Sequence, residues 1–206
     1  MARRTGDRNR DFEAKRSHIL AAVEQRIREP DAPGVTMHEL AATAGVSVST
    51  LRQHLGSRAQ VLAAALVVQG ERGAPYLAMV RAEPTEDAAA SLRGVLATMA
   101  MGSERGLGDV LAPGTALGMR DRTVGPAVVN HLLEPILQSV EARLESHIRR
   151  GELPACNVRI AALSLVSPLV LGALHQGALC GNTVRPLAIE ELINEVVSRF
   201  MTAYKP

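Results

Sequence analysis

Apolar residues recur along most of the chain at the three- and four-residue spacing of an amphipathic helix, and no segment shows the alternation of a half-buried strand. The first apolar stripe, on a helix that should end before Pro30, consists of Phe12, Ile19, Val23 and Ile27. Residues 29–34, rich in Pro, Gly and acidic residues, predict a loop after it. The pattern therefore predicts an all-α protein.

Helix starts are clearly marked after this loop. Two pairs of residues have the spacing of a capping box, namely Thr36 with Glu39 and Ser57 with Gln60. Ser47 can cap a short helix between them, and Gly45 suits the left-handed backbone position that ends the helix before it. Each cap stabilises its helix by about 1 kcal/mol. The starts of these three helices are therefore encoded locally.

The next part of the chain predicts longer helices. Thr85 is expected to cap one of them, with acidic residues in its first turn. Residues 102–126 are glycine-rich and are predicted to be irregular, with one short helix among them. A helix over residues 126–150 is expected to kink at Pro135 and to stop at Gly151.

Two apolar helices are predicted at the end of the chain. Residues 160–180 are apolar on all sides, and residues 186–204 carry one apolar stripe opposite an acidic face. A helix that is apolar all round is typical of one that its own domain covers on one side and a partner covers on the other. We therefore expect a homodimer through helices 158–180 and 186–204. Residues 160–180 could also span a bilayer, so a membrane-associated helical protein is a less favoured alternative.

Composition and charge narrow the class of protein. The chain has 206 residues, of which 47% are hydrophobic and 2% aromatic, so an aliphatic core is expected. The net charge of +2 is uneven, because residues 1–60 hold ten Lys and Arg against seven Asp and Glu, whereas the remainder holds 13 against 14. Much of the positive charge precedes the first apolar stripe. An arginine-rich arm of this kind suits a nucleic-acid partner.

Enzymatic signals are weak. The glycine-rich residues 106–114 lack the phosphate-loop motifs and follow no strand, and the histidines are scattered. Cys156 and Cys180 form neither a disulfide framework nor a metal-ligand pattern. The N-terminal residues do not resemble a signal peptide, so we expect a location in a reducing, bacterial cytoplasm. No enzymatic activity, cofactor or metal is expected.

The short helix after Gly45 has the arrangement of the second helix of a helix-turn-helix, which enters the major groove of DNA. Val48, Leu51 and Leu55 would hold this helix to its neighbours. The side chains left facing outward are Ser49, Thr50, Arg52 and Gln53. Arg and Gln can contact guanine and adenine edges, and Ser and Thr can reach bases or phosphates. A merely solvated polar face is the alternative, which the caps, the turn and the basic arm disfavour.

The same stretch resembles a known family. "RSHILAAV" and "TMHELAATAGVSVSTLRQHLGSRAQVLAAAL" are similar to the DNA-binding domain of the tetracycline-repressor (TetR) family, and "RRGELPA" is similar to a recurring piece of its C-terminal half. The resemblance implies an N-terminal three-helix helix-turn-helix DNA-binding domain with an arginine-rich arm, at residues 1–66. It implies a C-terminal helical ligand-binding and dimerisation domain at residues 67–206.

The implied function is sequence-specific binding of double-stranded operator DNA by a homodimeric transcriptional repressor, which a small-molecule effector releases. An activator or a ligand-independent regulator of the same fold remains open. By resemblance, Thr36 would cap the second helix and place its start against a DNA phosphate, and His54 would contact a phosphate. Gln53 would lie deeper in the major groove than Ser47, Val48, Ser49 and Thr50, which would lie at its edge. The full set of expected DNA contacts is Thr36, Ser47, Val48, Ser49, Thr50, Arg52, Gln53, His54 and Arg58.

Two positions depart from the family pattern. Ser49 stands where the family often has Gly, and Arg52 stands where an aromatic residue usually contacts the DNA backbone. The resemblance also implies a ligand pocket among the middle helices. Its candidates are Met99, Met119, Asn130, His131 and His175, with Met101, Leu133, Leu171 and Gln176 as further lining. Met or His at helical spacing is usually a core residue, although Met can adapt to many ligand shapes.

Overall fold

The computed structural model describes residues 5–104 and 109–205, with side chains described for residues 10–102 and 109–205. The described residues form helices and contain no strand, which confirms the predicted all-α class. The α-helices are α1 (Thr5–Arg26), α2 (Met37–Thr43), α3 (Val48–Leu55), α4 (Arg58–Arg81), α5 (Ala88–Glu104), α6 (Leu111–Arg120), α7 (Gly125–Val128), α8 (Glu134–Arg149), α9 (Val158–Ala173), α10 (Gly181–Val184) and α11 (Ile189–Ala203). A 3-10 turn covers Ala32–Gly34, and π-helical turns cover Val129–Leu133 and Leu174–Ala178.

The chain forms two compact units. The first consists of Met1–Arg72 and Asp109–Leu132, and the second of Gly73–Gly108 and Leu133–Pro206. The chain therefore passes from the first unit to the second within α4. The division into a DNA-binding domain at residues 1–66 and a ligand-binding and dimerisation domain at residues 67–206 was expected on grounds of function. It stays a prediction, because compact units do not test function.

The first unit is built on a small aliphatic core. α1 packs against α2 and α3, and these two helices pack against each other. Three residues of the predicted α1 stripe are fully buried, namely Ile19, Val23 and Ile27. The fourth member of the stripe, Phe12, is 36% exposed. In the same unit, α6 contacts the 3-10 turn that precedes α2.

The second unit packs α5, α8, α9 and α11 around one core. The apolar stripe predicted for the last helix faces this core, because Ile193, Val197 and Phe200 are buried. Arg143 is also buried, and its guanidinium donates to the backbone oxygens of Met79 and Val80 at 3.0 and 2.8 Å. The carbonyls in the last turn of α4 have no partner within their own helix, so they can accept these bonds. Arg143 thereby joins the end of α4 to α8.

Several helix boundaries differ from the sequence-based expectation. Asp87 rather than Thr85 caps α5, because its Oδ1 accepts from the backbone N–H of Ala90 at 2.8 Å. α11 begins at Ile189 rather than at residue 186. The ten-residue helix α6, in contrast, is the one short helix that was expected within residues 102–126.

Pro135 lies inside a helical stretch that runs without a break from Gly125 to Arg149, as expected, since α7, the π-helical turn Val129–Leu133 and α8 follow one another directly. The regular α-helix gives way to the π-helical turn immediately before this proline, which has no N–H to donate to the preceding turn. Gly151 ends α8 as predicted, with φ at 73°.

The segment Val158–Ala178 is, among the described residues, the one helix long and apolar enough to cross a membrane. Its most apolar window has a mean hydropathy of 1.7, and 33% of that window is buried within the chain. Length and composition alone do not distinguish a membrane span from the core helix of a helical domain.

The predicted capping box at the start of α2 is confirmed, and it generates a test of stability against pH. The backbone N–H of Thr36 donates to Glu39 Oε2 at 2.6 Å, and the N–H of Glu39 donates to Thr36 Oγ1 at 3.3 Å. Hydrogen bonds from the backbone and the hydroxyl of Thr36 hold the pKa of Glu39 below its ordinary value of 4.5. The carboxylate therefore stabilises the fold above that value, and this stabilisation is lost as the pH falls through the lowered pKa.

We expect the Glu39→Gln variant to unfold at lower urea concentration than the wild type at pH 7. The difference should be constant down to about pH 5 and should shrink between pH 5 and pH 3, because protonation removes the charge that the variant already lacks. Circular dichroism during urea titration measures it. Glu29→Gln is the control, since Glu29 is exposed and its side chain has no partner among the described residues. A difference that is independent of pH would contradict the prediction.

Candidate nucleic-acid interface

The turn between α2 and α3 is made by a Schellman motif, as the predicted Gly45 requires. Gly45 has φ at 64°, and the N–H of Val46 donates to the carbonyl of Ala41 at 2.9 Å. A Cβ at Gly45 would meet no atom within 4 Å, so the backbone conformation rather than crowding favours glycine. This motif sets the direction in which the chain enters α3.

Capping and burial hold α3 in place. Ser47 Oγ accepts from the backbone N–H of Thr50 at 3.0 Å, which confirms the predicted cap, and the two hydroxyl oxygens lie 2.9 Å apart. Leu51 and Leu55 are buried on the opposite side, and Val48 is half-buried. Ser47 and Thr50 therefore both take part in hydrogen bonds at the start of α3, and both side chains remain at least partly accessible.

Three of the expected contact residues have free side chains. Ser49, Arg52 and Gln53 are exposed, and they form no side-chain hydrogen bond or ion pair with any residue that the structure describes. Their donors and acceptors are therefore available to an external partner. This face combines one guanidinium, one carboxamide and one hydroxyl, which are the groups that can bond base edges in a major groove.

Two further expected contacts have interactions within the chain. The Arg58 guanidinium donates through Nε to the carbonyl of Val35 at 2.5 Å and through Nη2 to that of Pro33 at 3.2 Å. It thereby ties the start of α4 to the loop before Thr36. The imidazole of His54 stacks on the ring of Phe12, with centroids 4.2 Å apart. Whether any of these residues contacts DNA stays a prediction.

A buried ion-pair cluster between α1 and α4 was not anticipated from the sequence. The side chain of Glu24 is 1% exposed and accepts from Arg28 Nε at 2.9 Å, and its Oε2 lies 2.8 Å from Arg72 Nη1. Arg28 also donates to Gln69 Oε1 at 3.1 Å. Burial of a carboxylate is tolerable only when cations neutralise it. The four-residue spacing of Glu24 and Arg28 is the signal that could have suggested half of the cluster.

The candidate ligand residues are distributed over both units. In the first unit, Met119 and Asn130 are exposed and His131 is half-buried. In the second unit, Met99 packs against the core, and His175 is exposed with Nδ1 2.7 Å from Gln176 Nε2. A shallow cavity of about 520 Å³ lies instead on the outer face of α11, lined by Ala188, Glu190, Glu191, Asn194, Glu195 and Ser198. A pocket formed by the candidates stays a prediction.

The described residues contain no group of three or more His, Cys, Asp or Glu that could hold a metal ion.

Comparisons with known proteins agree with this geometry. Residues 95–206 match the family model of the C-terminal domain of AefR-like transcriptional repressors. A search of curated protein sequences gives no match. Many solved structures are similar, each at low identity, so they show the shared fold.

Three of these structures illustrate the similarity. A TetR-family regulator of Mesorhizobium loti has 17% identity and a TM-score of 0.75, with 94% of this chain and 98% of that chain covered. GusR of Salmonella enterica has 19% identity and a TM-score of 0.68, with 94% and 96% covered. SmeT, the repressor of the Stenotrophomonas maltophilia multidrug efflux pump SmeDEF, has 18% identity and a TM-score of 0.63, with 94% and 92% covered.

The family model covers more than half of the chain, and the part of the chain outside it contains the helix-turn-helix with its free polar face. On these grounds the chain belongs to the TetR family of transcriptional regulators.

Proposed function

We propose that this protein is a cytoplasmic homodimeric repressor, which binds double-stranded operator DNA through α3 and is released by a small-molecule effector. The observation that carries the proposal is the exposed, unengaged set Ser49, Arg52 and Gln53 on a helix whose other face is buried. Side chains held this way can bond base edges without first breaking bonds within the protein.

The expected contact residues that form hydrogen bonds within the chain are suited to the DNA backbone rather than to bases. Thr36 and Ser47 cap α2 and α3, and Arg58 fixes the loop before α2. Helix N-termini with exposed N–H groups are suited to phosphate oxygens, and such backbone contacts set the register of a protein on DNA. We propose that contacts to the DNA backbone orient α2 and α3, and that these contacts are made by Thr36, Ser47, Thr50 and Arg58. Val48 would contact a thymine methyl group. Arg52 and Gln53 would contact bases.

The exposed apolar face of α9 supports the proposed dimer. Ile160, Leu163 and Leu171 are 58%, 39% and 67% exposed, and their spacing places them along one side of the helix. Water-exposed side chains of this size on one helix are unfavourable unless a partner covers them. The stripe of α11 faces its own core, so we propose that α9 forms the centre of the interface and that the polar outer face of α11 forms its edge.

Gly172 is needed for packing within the chain. A Cβ at Gly172 would lie 2.8 Å from Leu192 Cδ2, so this glycine allows α9 to approach α11 within the chain. Close approach between two copies therefore does not depend on it. Two copies joined through α9 would present two α3 helices to successive major grooves, about 34–36 Å apart.

Release by an effector rests on family membership and on the similarity to SmeT, which is described as an efflux-pump repressor. Met99, Met119, Asn130, His131 and His175 remain the proposed pocket residues. Purified protein mixed with candidate compounds on operator DNA tests this part, since an effector would lower the apparent affinity. The position of the protected DNA site relative to the promoter would distinguish a repressor from an activator.

Footprinting of the purified protein on the DNA upstream of its own and neighbouring genes tests DNA binding. We expect a protected, roughly palindromic site whose affinity falls as salt is raised. Arg52→Ala should weaken binding by about 1–3 kcal/mol if Arg52 contacts a base, or should lower the salt slope by about one if it contacts a phosphate. Arg93→Ala is the control, because Arg93 is exposed on α5 and its side chain has no partner among the described residues.

Unchanged binding by Arg52→Ala at a protected site would contradict a contact between Arg52 and DNA. No protection at any salt concentration, followed by failure to select a site from random DNA, would contradict DNA binding altogether.

Light scattering at micromolar concentration tests the dimer. We expect the wild type to have twice the chain mass of 21.9 kDa and Leu163→Asp to be a folded monomer, because a charge on α9 would be buried in the interface. Met119→Asp is the control, since Met119 is 84% exposed on α6, outside the proposed interface, and should remain dimeric. A monomeric wild type would contradict the proposal, and release from the membrane fraction only by detergent would favour the membrane alternative.

A further inference from the structure

The stack between Phe12 and His54 joins α1 to the last turn of α3. The two ring centroids are 4.2 Å apart, and the ring planes differ by 22°. The chain has only two phenylalanines, and the other one, Phe200, lies in the second unit. Phe12 is 36% exposed, whereas the remaining members of its stripe are fully buried. This ring therefore covers the imidazole at the edge of the first unit rather than filling its core.

The two nitrogens of the His54 ring lie in different environments. Nδ1 is buried and has no hydrogen-bond partner, whereas Nε2 is not among the buried, unpartnered atoms. A neutral imidazole carries its proton on one nitrogen and accepts at the other. A buried N–H without an acceptor is costly. Nδ1 is unpaired in either tautomer, so the Nε2–H form is the one in which the neutral ring can donate to a group outside the protein.

The position of His54 fits a DNA backbone contact. His54 follows Arg52 and Gln53 directly and lies one helical turn after Thr50. It is half-buried, so it stands at the margin of the exposed face of α3 rather than at its centre. About half or more of the hydrogen bonds in protein–DNA complexes go to phosphate and sugar oxygens, so a donor at this margin of α3 is suited to such a contact.

We propose that Phe12 is a positioning residue, whose ring holds the His54 imidazole so that Nε2–H donates to a phosphate oxygen of bound DNA. The inference rests on the proposed function and adds a residue of α1 to it. A purely structural stack would contribute to the stability of the fold and leave the affinity of the folded protein for DNA unchanged. The two roles therefore separate in a binding experiment.

The test measures affinity for the selected operator by fluorescence anisotropy at pH 8. His54→Ala should bind about tenfold more weakly, as expected for one lost hydrogen bond to a charged group. Phe12→Leu keeps an apolar side chain without the ring and should lose at least about threefold, while Phe12→Tyr keeps the ring and should bind like the wild type. The double variant should be no weaker than His54→Ala alone, because Phe12 acts through His54.

The salt dependence provides an independent measure. A neutral donor displaces no counterion, so the slope of log affinity against log salt should be the same for His54→Ala, Phe12→Leu and the wild type. Urea denaturation of each variant establishes that it is folded. If Phe12→Leu does not fold, Phe12→Met replaces it as the variant without a ring.

Three results would overturn the inference: wild-type affinity in His54→Ala, wild-type affinity in Phe12→Leu, or losses that multiply in the double variant. In each of these cases, a wild type that binds its operator and an Arg52→Ala variant that binds it more weakly would leave the proposed function standing. A wild type that binds no operator would instead contradict both proposals together.

Discussion

An eight-residue helix does not keep its shape alone in water, because its few hydrogen bonds do not offset the cost of nucleation. The proposed DNA-contacting surface is α3, a helix of that length, so it depends on restraint by its surroundings. Ser47 caps its first turn, and Leu51 and Leu55 bury one side. Gly45 sets its direction through a left-handed turn. The orientation of the free side chains follows from these restraints.

The polar residues around α3 are divided between holding the fold and facing solvent. Thr36, Ser47 and Arg58 satisfy backbone groups, whereas Arg52 and Gln53 satisfy none among the described residues. The division has a physical basis, since an unsatisfied buried backbone group costs more than an exposed side chain left to water. A rigid frame with free outward groups loses little conformational entropy on binding. Specific recognition benefits from that preorganisation.

Most features set by neighbours in sequence could be predicted, although the cap of α5 was expected at Thr85 rather than at Asp87. Features set by distant contacts could not be predicted. The capping boxes at Thr36 and Ser57 and the stop at Gly151 depend on residues a few positions apart, and the structure confirms them. The bonds from Arg58 to the loop before α2, and those from Arg72 to Glu24, join residues far apart in the chain. Their partners become neighbours only after folding. The sequence therefore predicted the type of these side chains but not their partners.

The same distinction explains why the proposed interface on α9 has more support than the proposed ligand pocket. The hydropathy of residues 160–180 predicted a helix that a partner covers on one side, and the exposure of Ile160, Leu163 and Leu171 agrees with this. A pocket requires several side chains to converge, which periodicity does not encode. Met99 lies in a core, while Met119 faces solvent, although both fit a helical apolar pattern. The spacing of apolar residues predicts which face of a helix a residue lies on. Whether side chains from several helices meet in a pocket depends on how the whole chain packs.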